Sequence, residues 1–154
     1  MLDDSVKSIP SLMSFKNHLN NFIRPKGNPT FGIQDKFGIK LLTKIRVEFS
    51  DLRDHRFNHN FNCLSPICFC GIDDETSVHY ISCCPRYLAQ RTILLSNISD
   101  IIASDVSILP KEHLTHIILY GSNVYNRLCN KLILEQSILY IRKTKRFEKL
   151  EAFL

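Results

Sequence analysis

Between His55 and Pro85 the sequence gathers five of its six cysteines and three of its six histidines. Cys68 and Cys70 flank a single phenylalanine. An acidic loop follows, then His79, Cys83 and Cys84. Thiolates and an imidazole this close in sequence can converge on one ion, and three sulfurs with one nitrogen complete a closed tetrahedral shell. Such a shell suits one structural Zn2+ and leaves no position for a reactive water. The chemistry expected of Cys68, Cys70, His79 and a fourth thiolate is therefore stabilisation of a fold, not catalysis. The alternative, a set of buried free thiols, fits four ligand-type residues within seventeen positions poorly.

The fourth ligand is open on spacing alone. Cys83 lies four residues after His79 and would share its helix face, whereas Cys84 at five is rotated off it. Cys84 reaches the site only if the helix unwinds toward Pro85. Cys63 could be a further N-terminal ligand. The single residue between Cys68 and Cys70 is shorter than the usual two to four and tightens the turn, for which Gly71 can supply a positive φ. Thr76 is placed to cap a short helix carrying His79, with Asp73, Asp74 and Glu75 near its positive end. Asp73 and Asp74 have no third carboxylate in a matching element and read as a solvated loop. His55 and His59 share a helical spacing without an acidic general base between them, so they read as surface or hydrogen-bonded side chains. No nucleophile elbow, phosphate loop or dinucleotide fingerprint occurs in the chain.

The elements that must position these residues are helical. A helix is expected from Leu12 to about Phe22, then a turn-rich connector over 24–29. A second runs from Lys36 or Gly38 to about Phe49, with Leu41, Leu42, Ile45, Phe49 and Leu52 on one stripe. Ser50 and Asp51 can recap the chain into a short piece ending near Phe57. Beyond the cysteines, Pro85 sets up a helix to about Ile98 with Tyr87, Leu88, Leu94 and Leu95 inward. Pro110 starts another, Lys111 to Tyr120, closed by Gly121. Ser122 or Asn123 opens the longest, to about Arg146, with Val124, Leu128, Leu132, Leu134, Ile138 and Ile141 at helical spacing and Cys129 as a buried thiol. The chain divides into a lead-in (1–35), a basic helical segment (36–62), the cysteine-histidine unit (63–85) and a C-terminal helical region (86–154). The fold class is mainly α, a helical domain with a small zinc-binding hairpin-helix inserted.

Composition agrees. The 154 residues are 44% apolar and 23% charged with five glycines, ordinary for a globular chain short of turns. The net charge of +5 is a mild basic bias compatible with a nucleic-acid partner. The acidic start carries no apolar signal region and no run approaches a membrane span, so an intracellular setting, nucleus or cytoplasm, is expected without membrane attachment. Lys36, Lys40 and Lys44 recur every fourth residue, a solvated face or a phosphate-facing stripe that Arg46, Arg53, Arg56 and His59 would extend. Arg142, Lys143, Lys145, Arg146 and Lys149 also crowd the end of the last helix, where the helix dipole favours cations anyway.

The blocks GIKLLTKIRVEFSDLRDHRFNHNF (38–61), PICFCG (66–71) and ETSVHYISCCP (75–85) resemble the C-terminal region of non-LTR retrotransposon reverse transcriptases. LYGS (119–122) and the terminal ILYIRKTKRFEKLEAFL are similar to the ends of the same polyproteins. The resemblance covers roughly residues 20 to 154 and is carried by several separated blocks in one order. It implies a CCHC zinc knuckle on Cys68, Cys70, His79 and Cys84, choosing Cys84 over Cys83 and setting Cys63 aside. It also implies that the knuckle and neighbouring basic residues hold element RNA or target DNA. Polymerase palm and endonuclease have no counterpart here, so the resemblance implies no enzyme activity and a piece or derivative of such an element.

The expected function is thus a non-catalytic, zinc-stabilised nucleic-acid-binding module without a small-molecule substrate. Lys40, Lys44, Arg46, Arg53 and Arg56 are its candidate phosphate contacts, and His59 and Phe61 its candidate base or sugar contacts. The rival readings are a zinc-stapled protein-interaction module and a retroelement relic without activity.

Overall fold

The computed structural model describes residue 30 and residues 32–148. The expected helix from Leu12 to Phe22, the connector over 24–29 and Lys149 lie outside the described residues. Within them the chain is mainly helical and contains no strand, only an isolated antiparallel bridge between Ile67 and Asp74. No helix among them is long and apolar enough to cross a membrane.

Among the described residues five α-helices carry the architecture: α1 (Lys36–Arg46), α2 (Arg53–Asn58), α3 (Leu88–Ile102), α4 (Lys111–Tyr120) and α5 (Arg127–Lys143). The last is the organising element, because α1, α3 and α4 all pack on it. Its buried Ile133, Leu134, Ile138 and Ile141 recur at three to four residues and meet Leu41, Leu42 and Ile45 of α1, Leu94 and Ile98 of α3, and Leu114, Ile117 and Ile118 of α4 in one apolar cluster. Gly38 marks the closest approach of α1 to α5, since a Cβ there would run into Ile138. Buried polar groups on α5 are satisfied locally. Ser137 donates to the Ile118 carbonyl, and Asn130 binds both the N–H and the C=O of Ser122.

The helix ends differ from the sequence expectation where the deciding contact is distant or the stop residue is not glycine. α1 stops at Arg46, three residues early, because Glu48 takes a positive φ of 56° and the Phe49 N–H returns to the Lys44 carbonyl. Phe49 therefore leaves the stripe and is exposed. At the start of α1, Asp35 accepts the Gly38 N–H at 2.8 Å, and two Arg142 hydrogen bonds of 3.0 Å hold its carboxyl below the usual carboxylate range. α3 runs four residues past Ile98 before Ala103 turns left-handed at φ 54°, and its Leu88 faces outward. Pro110 and Gly121 bound α4 as expected. α5 opens later, at Arg127, where Asn126 accepts the Cys129 N–H, and closes at Lys143. Val124 falls before the helix and is exposed, Leu128 is exposed in its first turn, and Cys129 is half-buried.

Candidate metal centre

The sequence between α2 and α3 folds into two unlike pieces. The first is a tight hairpin: the Cys68 N–H donates to the Asp73 carbonyl, the Glu75 N–H to Pro66, and the Gly71 N–H back to Cys68, each at 2.8 to 2.9 Å. Gly71 makes the reversal at φ 78°, a conformation costly for any residue with a Cβ. The second piece is a helical turn whose entry is capped by Thr76, which accepts the His79 N–H at 3.1 Å as its position suggested. From His79 to Cys83 this turn is π-helical.

That wider turn settles which cysteine joins the cluster. The Cys84 N–H donates to the His79 carbonyl five residues back, at 2.7 Å. The spacing argument for Cys83 assumed α-helical geometry, in which the fourth residue on returns to the same face. Here the extra residue in the turn leaves Cys83 exposed and carries Cys84 inward, where it is fully buried. Pro85 follows directly and starts a 3-10 turn, Pro85–Tyr87, leading into α3.

The ligand atoms of Cys68, Cys70, His79 and Cys84 all lie within 4.8 Å of one another. The Cys68 and Cys84 sulfurs are 3.7 Å apart, and the Cys70 sulfur is 3.2 Å from His79 Nε2. Burial pushes the Cys68 thiol up to about 12 and raises that of Cys84. Desolvation also acts upward on Cys70, but hydrogen bonds from the Ile72 N–H and from its neighbouring thiols carry it below the ordinary value. Three sulfurs and an imidazole nitrogen this close together are a donor set that a soft cation satisfies, with metal binding displacing the thiol protons. This Cys3His group could hold one metal ion. Cys63 is outside it, its thiol donating to the Ser65 carbonyl at 3.1 Å.

The helical turn is built into the core. Tyr80 and Ile81 are fully buried, Tyr140 donates to the Tyr80 carbonyl, and Tyr80 pairs with Thr144, both at 2.7 Å. Ser82 pairs with Thr115 of α4 at 2.6 Å, and the buried Arg91 of α3 donates to the Cys84 carbonyl at 2.9 Å. Glu75 closes the hairpin onto the same core. Its carboxylate is 1% exposed and accepts two Arg146 hydrogen bonds of 2.7 Å plus the N–H of Arg53, the first residue of α2. Burial would lower Arg146, yet the Glu75 carboxylate holds it above its ordinary value. Ser50 accepts the Leu52 N–H at 3.3 Å as the sequence suggests, while Asp51 pairs with Arg56 and the N–H of Arg53 goes to Glu75. Nothing in the local pattern distinguishes Glu75 from its solvated neighbours; only the tertiary partner does.

The candidate nucleic-acid contacts divide. Lys40 is exposed on α1 and Lys44 half-buried, while Arg46 turns inward, donating from Nε to the Leu119 carbonyl and lying 5.2 Å from the Tyr120 ring centre. Arg56 pairs with Asp51 at 2.8 Å and donates to the Phe61 carbonyl. His59 and Phe61 form an aromatic trio with Phe49, and His59 bonds the Glu48 carbonyl. His55 is buried, its ring nitrogens meeting Ser50 at 2.8 Å and Ser77 at 3.2 Å, so it ties α2 to the metal-bearing segment. Arg53 lies 4.6 Å from the ring centre of Phe69, which projects from the hairpin between the two cysteines. Phe69 was not among the sequence candidates. Its place between two ligands on a tight turn was the available signal, because a side chain there cannot reach the core.

Comparison with known proteins returns no match to any family model, curated protein or solved structure.

Proposed function

We propose that the chain is a non-catalytic, zinc-stapled module that binds nucleic acid, with Cys68, Cys70, His79 and Cys84 holding one structural Zn2+. The observation that carries the metal reading is the spacing of the donors. Zn–S bonds near 2.3 Å and Zn–N bonds near 2.0–2.1 Å at tetrahedral angles put two sulfurs roughly 3.8 Å apart and a sulfur and nitrogen roughly 3.5 Å apart. The separations of 3.7 Å and 3.2 Å are close to both without the ion. Four protein donors fill the shell, which makes the ion structural.

The nucleic-acid reading is supported by cations and aromatic side chains clustered beside the knuckle and by the net charge of +5. It also follows the resemblance of the 38–85 blocks to the C-terminal region of non-LTR retrotransposon reverse transcriptases, in which such a knuckle serves RNA or target DNA. A protein-interaction module is the second reading, favoured by the exposed Val47, Phe49, Phe57 and Phe61.

The test is binding of a labelled single-stranded RNA and its DNA counterpart across a salt series. Each phosphate contact contributes a slope of about −0.7 in log affinity against log salt for single strands. Binding at low salt with a slope steeper than roughly −1.4, that of two contacts, is expected. No binding at low salt, or affinity flat in salt, contradicts the proposal.

A further inference from the structure

Among the described residues Arg91 is the one buried arginine, 7% exposed in the first turn of α3. Arg56, Arg142 and Arg146 each pair with a carboxylate, whereas Arg91 pairs with none among the described residues. Two costs fall on this cation together. Burial strips water from a charge that a guanidinium cannot shed by losing its proton. The N-terminal end of a helix also carries partial positive charge, which disfavours a cation there. A nearby anion would offset both.

What the guanidinium touches points to that anion. Its Nη1 donates to the Cys84 carbonyl at 2.9 Å, and the carbonyl carbon is three bonds from the Cys84 sulfur. That carbonyl also accepts the Tyr87 N–H at 3.3 Å, so Arg91 is not needed to satisfy it. The guanidinium faces the Tyr140 hydroxyl as well, where it works against the burial that raises that phenol. Neither partner is charged. Three thiolates and a neutral imidazole around Zn2+, however, carry one excess negative charge, and the Cys68 and Cys84 sulfurs that bear it are buried. We infer that Arg91 is the counter-ion of the metal centre, its buried positive charge standing behind Cys84 and cancelling the single negative charge of the zinc–thiolate unit. It touches the backbone of a ligand and not the ion, so it is a positioning residue. The inference rests on the zinc reading above and names what the fold supplies to that site from outside the four ligands.

The experiment measures Zn2+ affinity of the reduced, intact chain by competition with a chromophoric chelator, beside the denaturant midpoint of the metal-free chain. Arg91→Gln keeps a donor for the Cys84 carbonyl and loses the charge, Arg91→Met loses both, and Arg91→Lys keeps the charge. Arg91→Gln and Arg91→Met are expected to bind Zn2+ about 10–100-fold more weakly, the range for groups that support a ligand from behind. Arg91→Lys is expected to recover most of that loss. The metal-free midpoint of Arg91→Met is expected to equal or exceed that of the unaltered chain, because a lone buried cation has been removed. A residue that only packs would move it the other way. If Arg91→Gln and Arg91→Met hold Zn2+ as tightly as the unaltered chain, the counter-ion is overturned and the zinc reading stands. An equal loss in Arg91→Lys, together with a lowered metal-free midpoint in Arg91→Met, also overturns it. An unaltered chain that binds no Zn2+ overturns both.

Discussion

The two halves of the Cys3His cluster are held by different physics. His79 and Cys84 stand on a turn in which Tyr80, Ile81 and Ser82 are buried; Tyr80 and Ser82 bond to α5, the segment after it and α4, and the Cys84 carbonyl bonds to α3. Cys68 and Cys70 stand on a hairpin with one isolated bridge, whose Leu64, Ile67, Phe69 and Ile72 all face outward. An isolated two-stranded hairpin is at best marginally stable in water, and this one buries little besides the Cys68 side chain and Glu75. The core half can be built by apolar burial alone; the hairpin half needs cross-links. A metal ion in this arrangement staples a weak element to a wall already standing.

Removing the metal breaks the comparison most sharply. Structural zinc contributes about 10–16 kcal/mol in zinc-finger peptides at neutral pH, so chelation should be the largest perturbation here. Amide hydrogen exchange is expected to accelerate across residues 63–74, while α3, α5 and Tyr80–Ser82 keep their protection. Uniform loss of protection would mean that the core half also depends on the ion, and unchanged exchange would mean that no ion was bound.

Next in size is the charged tie between the halves. Arg146→Ala leaves the Glu75 carboxylate buried without its partner, which costs about 3–5 kcal/mol in a pair of this kind. Denaturant melts read the loss directly. A change under about 1 kcal/mol would show that water replaces Arg146 and that the hairpin is not pinned there.

The smallest expected effect is acid sensitivity through His55. Burial is the largest influence and holds its pKa below the ordinary value; His59 pushes the same way, while Glu48, Asp54 and Glu75 push back. The unfolded chain then takes up the proton more readily. The contribution of neutral His55 is complete above pH of about 6.5 and falls as pH drops from there through the depressed folded value. Stability measured against pH for the chain and for His55→Asn should diverge in that window, with the histidine chain the steeper of the two. Parallel curves would assign acid sensitivity to the metal ligands alone.

Much of this arrangement was legible in the sequence because it is written in local terms. The period of Leu41, Leu42 and Ile45, the Pro110 and Gly121 that bound α4, and the Thr76 cap all act within a few residues. Cys68, Cys70 and His79 declared themselves by type and spacing. What the spacing could not decide was Cys83 against Cys84, since the answer depends on a π-helical turn that no residue pattern announces; the family resemblance chose Cys84. The end of α1 was misplaced because Glu48 takes the left-handed conformation that glycine usually marks. Glu75 and Arg146 are 71 residues apart, and each looked like one more surface charge among several. Arg46, expected on a phosphate-facing stripe, spends its Nε on the carbonyl of Leu119.

The most direct test of the stapled-halves account is metal content of the purified chain beside Cys83→Ser and Cys84→Ser. One zinc per chain is predicted for the unaltered protein and for Cys83→Ser, whose thiol lies outside the cluster, with loss in Cys84→Ser. Zinc retained by Cys84→Ser and lost from Cys83→Ser, or none in the unaltered chain, would contradict the account.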